Sequence, residues 1–539
     1  MISSISIALW GIVFLLAWRV SRIGRRPPGY PPGPPTLPIL GNLHQIPSEN
    51  QHEQFTKWSK VYGPIYSLMM GTKTLIVLNN DQVVKDLLDK RSAIYSDRMD
   101  MYTTGEIASG GLRLLTMHYG PTWRMLRKMI HSLLNVTAAK SYVPYQELEN
   151  KQMLNDLLES PDSLLEHLRR YSSSLVASIV FGWRTPDYRD PKLWQFFHGF
   201  DEFSALAQTA GAALPDFYPI LRKLPMWMQR RQSQAARLHV AEKALYLGNW
   251  LDAKRAVESG TARPCFCVDM ARRQRTAHFS DDLAAYTAGT LFEAGSDTTS
   301  STLYGFVQAI LLYPATQRAA QAQLDAIVGP TRLPTLDDAP RLPYVVACVK
   351  EAMRWMPTAV LGAAPHAVLQ DDEYLGYCIP RGAGVMMNVW GIHRDEARYA
   401  RPERFEPERY DGDVTLMADS ATLPDVSKRD QFGFGAGRRI CQGMHVAERS
   451  LFLGISRILW GFDVTPVIDE DTGRPKLPQQ DKLVGGLVML PEKYEANIKP
   501  RSECHAEVMR KAWAEVKTQL DEKTGQWDKI PEGMALPTL

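Results

Sequence analysis

The sequence predicts a mainly α protein with small β-sheets, and three stretches carry that expectation. Residues 281–313 form one long, mostly apolar run of helical character. Residues 65–78 read as two strands around Gly71-Thr72, with Tyr66 and Leu68, then Leu75 and Val77, in period-two alternation. Residues 502–520 place Ala506, Met509, Trp513, Val516 and Leu520 three and four apart, the spacing of an amphipathic helix. That helix is expected to pack on the body, with a membrane or partner contact as the alternative. Residues 154–257 read as several helices broken at Pro215, Pro219 and Pro225, and 374–388 as short strands around Pro380-Arg381-Gly382.

The chain has 539 residues, 45% hydrophobic and 22% charged, which is ample material for a large core. A net charge of +3 gives no electrostatic support for nucleic-acid binding. Six cysteines lie scattered without a disulfide framework, which suits a reducing compartment. Cys265-Phe266-Cys267 lacks a second ligand pair at zinc-site spacing.

At the N-terminus an apolar stretch from Ile2 to Trp18 runs into Arg19, Arg22, Arg25 and Arg26. This predicts an uncleaved transmembrane anchor with the following chain in the cytoplasm. A cleaved signal peptide would carry its basic residues before the apolar run instead. Pro27-Pro28-Gly29-Tyr30-Pro31-Pro32-Gly33-Pro34-Pro35 follows, too rich in proline for a helix or sheet interior and suited to a stiff, extended spacer or to a disordered linker.

The chemistry concentrates in Phe434-Gly435-Ala436-Gly437-Arg438-Arg439-Ile440-Cys441-Gln442-Gly443. Gly435, Gly437 and Gly443 let backbone N–H groups approach the sulfur of Cys441, which opens a helix whose dipole favours a thiolate. Cys441 is therefore a candidate iron ligand; alone it also fits a buried structural cysteine. In the apolar helix, Ala294-Gly295-Ser296-Asp297-Thr298-Thr299 combines small residues with an acid and an alcohol able to relay protons. A mid-helix threonine can bond back to a carbonyl and open a bulge that admits water. Glu293 stands four residues before Asp297 and either meets substrate or pairs with a base; the pair is the expectation. Trp123 and Arg127 share a helix face, allowing an indole N–H and a guanidinium to meet one carboxylate. Glu351 and Arg354 are spaced to bond each other, and Pro407-Glu408-Arg409-Tyr410 repeats the pattern of Pro402-Glu403-Arg404-Phe405. Asn135-Val136-Thr137 is a glycosylation sequon that a cytoplasmic domain would not present to the transferase.

Read as Phe-x-x-Gly-x-Arg-x-Cys-x-Gly, the cysteine stretch resembles the haem-binding loop of the cytochrome P450 family at every defined position, and three further motifs follow in order. The resemblance spans roughly 31–500. It implies haem b between the helix of Asp297 and that of Cys441, with Cys441 as axial thiolate. It implies cofactor contacts from Trp123, Arg127, Ala294, Gly295, His366, Phe434, Gly437, Arg439 and Gly443, and proton delivery by Asp297 and Thr298. Arg409, rather than Arg404, joins the Glu351 and Arg354 pair as a structural lock. Residues 97–115, with Met99, Met101 and Tyr102, cover the substrate; 357–366 and Val484-Gly485-Gly486-Leu487 border its pocket. Electrons come from NADPH through a separate membrane-bound reductase, for which Arg124, Lys128 and Arg438 offer a docking face. The implied division is an anchor over 1–20, a basic, proline-rich hinge over 21–41, a haem-thiolate monooxygenase domain over 42–500 and an amphipathic extension over 501–539. The implied setting is the endoplasmic reticulum membrane, single-pass, with the catalytic domain cytoplasmic. The motif wording resembles filamentous-fungal members that oxidise aromatic polyketides, alkaloids or terpenoids, some of them mycotoxins. Oxidative phenol coupling and a non-catalytic haem sensor or carrier are the alternative readings.

Overall fold

The computed structural model describes residues 4–532 and Met534. Its frame is helical: α1 (Ser4–Arg22), α2 (Pro121–Leu134), α3 (Val143–Glu159), α4 (Leu164–Phe181), α5 (Pro191–Gln208), α6 (Arg230–Glu258), α7 (Asp281–Leu312), α8 (Pro343–Trp355), α9 (Met444–Gly461) and α10 (Glu503–Lys517), with shorter helices between them. α7 is the axle. Ser280 caps it by accepting from Leu283 N at 3.1 Å, Asp281 and Asp282 complement the dipole in its first turn, and Pro314 follows its end. It is buried over most of its length, with α4, α5, α6, α8 and α9 packed around it. The largest core cluster joins α7 to α8 and α9 through Leu303, Phe306, Ile310, Val349, Trp355, Ile455 and Leu459.

The main sheet runs in the order Ile65–Met70, Lys73–Leu78, Gly384–Met387, His366–Ala367, Asp97–Arg98. The first two strands form the hairpin the alternation predicts, Tyr66 opposite Val77 and Leu68 opposite Leu75. Three two-stranded ribbons complete the β-structure among the described residues. In the middle of the chain, Pro215 lies inside the short helix Ala210–Phe217 rather than ending one.

The N-terminus differs from the expectation of a transmembrane anchor over 1–20. α1 is a helix with exposed Trp10, Phe14 and Trp18, yet among the described residues no helix is long and apolar enough to cross a membrane. The physical reason is length: 19 residues rise about 28 Å, and Arg19 and Arg22 occupy the last turn, so the apolar part falls short of a bilayer core of about 30 Å. Residues 1–3 lie outside the described residues. The proline-rich stretch is tied along the edge strand. Arg26 donates to Ser67 Oγ at 2.9 Å and to the carbonyls of Gly33 and Pro34 at 3.0 Å, while Ser67 N donates to Pro32 O at 2.7 Å.

α10 packs on α3, and the chain beyond it continues as a clasp. Leu520, Trp527 and Met534 are buried in a cluster with Tyr142, Tyr145 and Leu148. Arg184 donates to Gly525 O at 2.6 Å, and Gln526 bonds the Arg184 backbone in both directions at 2.8 and 2.9 Å. Trp527→Ala removes a side chain only 2% exposed and packed against Tyr145. It should destabilise the protein by about 3–5 kcal/mol, read as a lowered thermal midpoint.

Candidate active site

Mid-helix, α7 carries one stripe that is not buried. Leu291, Ala294, Gly295 and Thr298 interrupt an otherwise buried run at spacings of three and four, so one face of an internal helix borders open space. Thr298 bonds back to Ala294 O at 2.8 Å, but α7 stays continuous and no bulge opens. Gly295, on the same stripe, also answers a second constraint. A Cβ there would meet Val176 Cγ2 of α4 at 2.7 Å, so its smallness also serves the close approach of two helices, while Ala294 beside it leaves the void open.

Asp297 and Thr298 are neighbours in sequence but not in surroundings. Asp297 is buried, and its Oδ1 lies 3.7 Å from Arg169 on α4, with no hydrogen bond of its own. Burial pushes its carboxyl up to about 6, against the opposing charge of Arg169. It therefore holds a proton below about pH 6 and loses it above. Glu293 takes the pairing role: it meets Arg113 and the Tyr246 hydroxyl, all three buried.

The cysteine loop is pinned from three sides. Gly437 requires glycine: its φ is +65° and a Cβ would lie 2.0 Å from Leu88 O. Gly437 N donates to Asp89 Oδ1 at 2.7 Å, and Asp89 pairs with Arg429 at 2.9 Å. Cys441 N donates to Phe434 O at 2.8 Å, and Phe434 is fixed in the largest core cluster. At Gly443 a Cβ would find only ordinary contact with the sulfur, so nothing in the structure requires glycine there. The Cys441 side chain is exposed to space, yet it is deep enough that burial raises its thiol, opposed by the N–H groups of Gly443 and Met444 and by Arg127. A metal ion on that sulfur reverses the balance, because a coordinating thiol is deprotonated outright.

Next to the loop stands a cluster of cations. Trp123 is buried, with the guanidiniums of Arg439 and Arg127 4.6 and 5.7 Å from its ring. Arg98, missed in the sequence, joins them through strand pairing that sets it opposite His366. The hydrogen bonds of the three arginines go to backbone carbonyls: Arg98 to Leu115 O at 2.9 Å, Arg439 to Ser96 O and Met117 O at 2.7 Å, Arg127 to Ile440 O. Burial lowers all three, Arg127 and Arg439 to about 10, and the like charges of Arg127 and Arg439 depress Arg98 further. His366 Nδ1 donates to Tyr95 O at 2.8 Å, and the ring is lowered to about 3 by burial and by Arg98, so it stays neutral. One buried and two half-buried cations that repel one another, with Asp97 as the carboxylate acting on Arg98 and Arg439 but no ion pair to any of the three among the described residues, fit a bound dianion. A flat group with two carboxylates beside the Ala294 stripe and a metal on Cys441 satisfies the thiol, the open face and the cations together.

Behind this site Glu351 and Arg354 form a fully buried pair at 2.7 and 2.8 Å. Arg354 also donates to the carbonyls of His393, Pro402 and Arg404, and Arg409 Nε reaches Glu351 at 3.0 Å. Arg404 contributes its carbonyl, while its side chain is half exposed.

These features define a site for a metal-bearing planar cofactor held by a thiol in a mainly helical frame. The chain matches the Cytochrome P450 family over residues 31–498, and it belongs to that family. It is 49% identical over 524 residues to cytochrome P450 monooxygenase virE of Hypocrea virens, covering 97% of this chain and 95% of that one. It is 48% identical to fogE of Aspergillus ruber, covering 99% and 98%. Among solved structures, a zebra fish cytochrome P450 with abiraterone superposes with a TM-score of 0.67 at 26% identity, over 84% of this chain and 100% of that one. The protein is thus a cytochrome P450 monooxygenase, a family that binds haem through a cysteine thiolate.

Glu351→Gln would leave Arg354 buried without its counter-charge and should cost about 3–5 kcal/mol, read as loss of bound haem and of thermal stability.

Proposed function

We propose that this monooxygenase oxidises a small lipophilic secondary metabolite of a fungal pathway, an aromatic polyketide, alkaloid or terpenoid, with Cys441 as the iron ligand. The observation that carries the reading is the coincidence of an open thiol, a bare stripe on α7 and a cluster of three arginines with no ion pair among the described residues. Bound haem supplies the oxidising chemistry, with thiolate donation favouring O–O cleavage. The chain does the rest. Arg98, Arg127, Arg439 and Trp123 orient the propionates; neutral His366 supports the same edge. Thr298 presents a hydroxyl on the open stripe, and Asp297, paired weakly with Arg169, supplies protons from behind it. Apolar residues around the void exclude water and receive a lipophilic substrate.

Electrons come from NADPH through a separate reductase. Support for its docking face lies on the cysteine side, where exposed Lys128 lines a cavity of about 320 Å³ together with Arg127, His131, Cys441 and His445, and exposed Arg124 and Arg438 both lie over the Tyr119 ring. The reading also places the enzyme on the cytoplasmic side of the endoplasmic reticulum membrane. Exposed Ile220, Met226, Trp227 and Met228 stand in the loop beyond Tyr218, whose hydroxyl bonds Ile39 O at 2.9 Å next to exposed Leu37 and Leu40. Together with α1 they form an apolar surface suited to the bilayer interface.

The test is full-length protein in yeast microsomes with a fungal reductase and NADPH, offered aromatic polyketides, indole alkaloids and terpenes, with products read by mass spectrometry. A product heavier by one oxygen is expected; a dimer lacking two hydrogens would replace oxygenation by phenol coupling. Cys441→Ser should abolish the thiolate-type carbon monoxide spectrum, and its survival would remove Cys441 as ligand. Asp297→Asn should slow turnover by about 10²-fold or more and erase a fall in rate as pH rises through about 6.

A further inference from the structure

Arg113 is 1% exposed, although it belongs to an irregular segment between Arg98 and α2. Its guanidinium donates to Glu242 of α6 at 2.6 Å, meets Glu293 of α7, and lies 3.9 Å from the Phe203 ring of α5. Its Nε reaches Ser109 Oγ at 3.1 Å, within its own segment. Two and four residues later the same segment is held by different side chains. Leu115 O accepts from Arg98 and Met117 O from Arg439, two members of the cation cluster. Residues 113–117 are therefore a strap with one end among α5, α6 and α7 and the other at the cation cluster. Leu115 is half-buried and stands outside the packed clusters, unlike Leu112, Leu114 and Met117, which pack under α7.

Resting on the haem-thiolate reading above, we propose that Arg113 is a positioning residue: by locking residues 113–117 between α6, α7 and the cation cluster, it sets the wall past which a bulky substrate reaches the void.

The charge balance of the lock gives it a distinctive property. One guanidinium faces two carboxyls, and Glu242 Oε1 has no hydrogen-bond partner. The groups around Glu242 are Arg113, Glu293 and Tyr246, then Tyr286 bonded to His239 at 2.6 Å. Outside them, Lys243 pairs with Asp282 at 2.6 Å, and His198 and Glu202 face the lock from α5. Burial pushes Glu242 up to about 8 and raises Glu293, against Arg113. Below about pH 8 Glu242 is neutral and holds Arg113 by hydrogen bonding; above it, the charge on Glu242 tightens the hold.

The experiment uses the haem-loaded full-length protein and two iron-ligating probes, imidazole and the bulkier 4-phenylimidazole, with association rates followed by absorbance. Arg113→Gln should speed 4-phenylimidazole about tenfold while imidazole stays within about twofold, and Arg113→Lys should restore part of the difference. In the unmodified protein, 4-phenylimidazole should associate more slowly as pH rises through about 8, and Glu242→Gln should abolish that step. Hydrogen exchange of the amides in 113–117 should rise in Arg113→Gln, and that of the amides in α2 should not. Equal changes for both probes, an unchanged pH step in Glu242→Gln, or unchanged exchange of the strap would overturn the proposal. If Arg113→Gln does not fold, the near-isosteric Glu242→Gln decides alone. The carbon monoxide spectrum of the unmodified protein reports separately on the haem-thiolate reading, and the exchange measurement stands without it.

Discussion

Three neighbouring guanidiniums, one buried and two half-buried, whose hydrogen bonds among the described residues go only to backbone carbonyls, are the constraint on which the rest of the structure depends. Like charges out of water repel, and the lowered pKa values of Arg98, Arg127 and Arg439 express that cost. Other elements are arranged to keep the cluster in place: the short strand pair that sets Arg98 against His366, the helix that presents Trp123 and Arg127, and the glycine loop that carries Arg439. The haem of this family carries two propionates and an iron, which answers the cations and the Cys441 thiol at once.

The protein uses buried charge in two opposite ways. Glu351, Arg354 and Arg409 form a closed network, with two cations on one carboxylate; Arg354 donates on to carbonyls of the segment 393–404, and Arg409 donates to Ala400 O and pairs with Glu406 at 3.5 Å. That arrangement fixes the loop leading to Phe434 and needs nothing from outside. The cation cluster, by contrast, is left open on the side of the void. The Arg113 lock lies between these extremes, with one more carboxyl than it has cations, and so responds to pH where the others do not.

The sequence made local chemistry readable and long-range chemistry invisible. The Cys441 loop, the α7 motif and the Glu351 network each sit within a few residues of chain, or within two nearby segments, so spacing alone exposes them. Arg98, Arg113 and Arg169 acquire their partners only when distant elements meet. A two-residue strand has no periodicity to announce Arg98, and a lone arginine in a glycine-rich segment gives no sign of two carboxylates on separate helices. Gly295 is legible only in part: its place in the motif suggested room for a cofactor, but not the contact with Val176 on α4 that forbids a side chain. At the N-terminus, composition pointed to a membrane span, but the arginines in the last turn of α1 leave the apolar part too short. The hairpin, the long central helix and the amphipathic α10 were all legible because burial of one face imposes a period. The clasp around Trp527 was not, because it follows the surface of α3 and has no period of its own.

The central claim is that this cation cluster awaits the carboxylates of the cofactor. The most direct test titrates haem-free protein with haem and with its dimethyl ester, which keeps the iron and the ring but has no propionate charge. The account predicts that haem binds about a hundredfold tighter or more, since hydrogen bonds to charged groups contribute about 1.5–3 kcal/mol each. Arg98→Met and Arg127→Met should each narrow that gap. Equal affinity for the two compounds would mean that the cluster does not read the propionates, and would contradict the account.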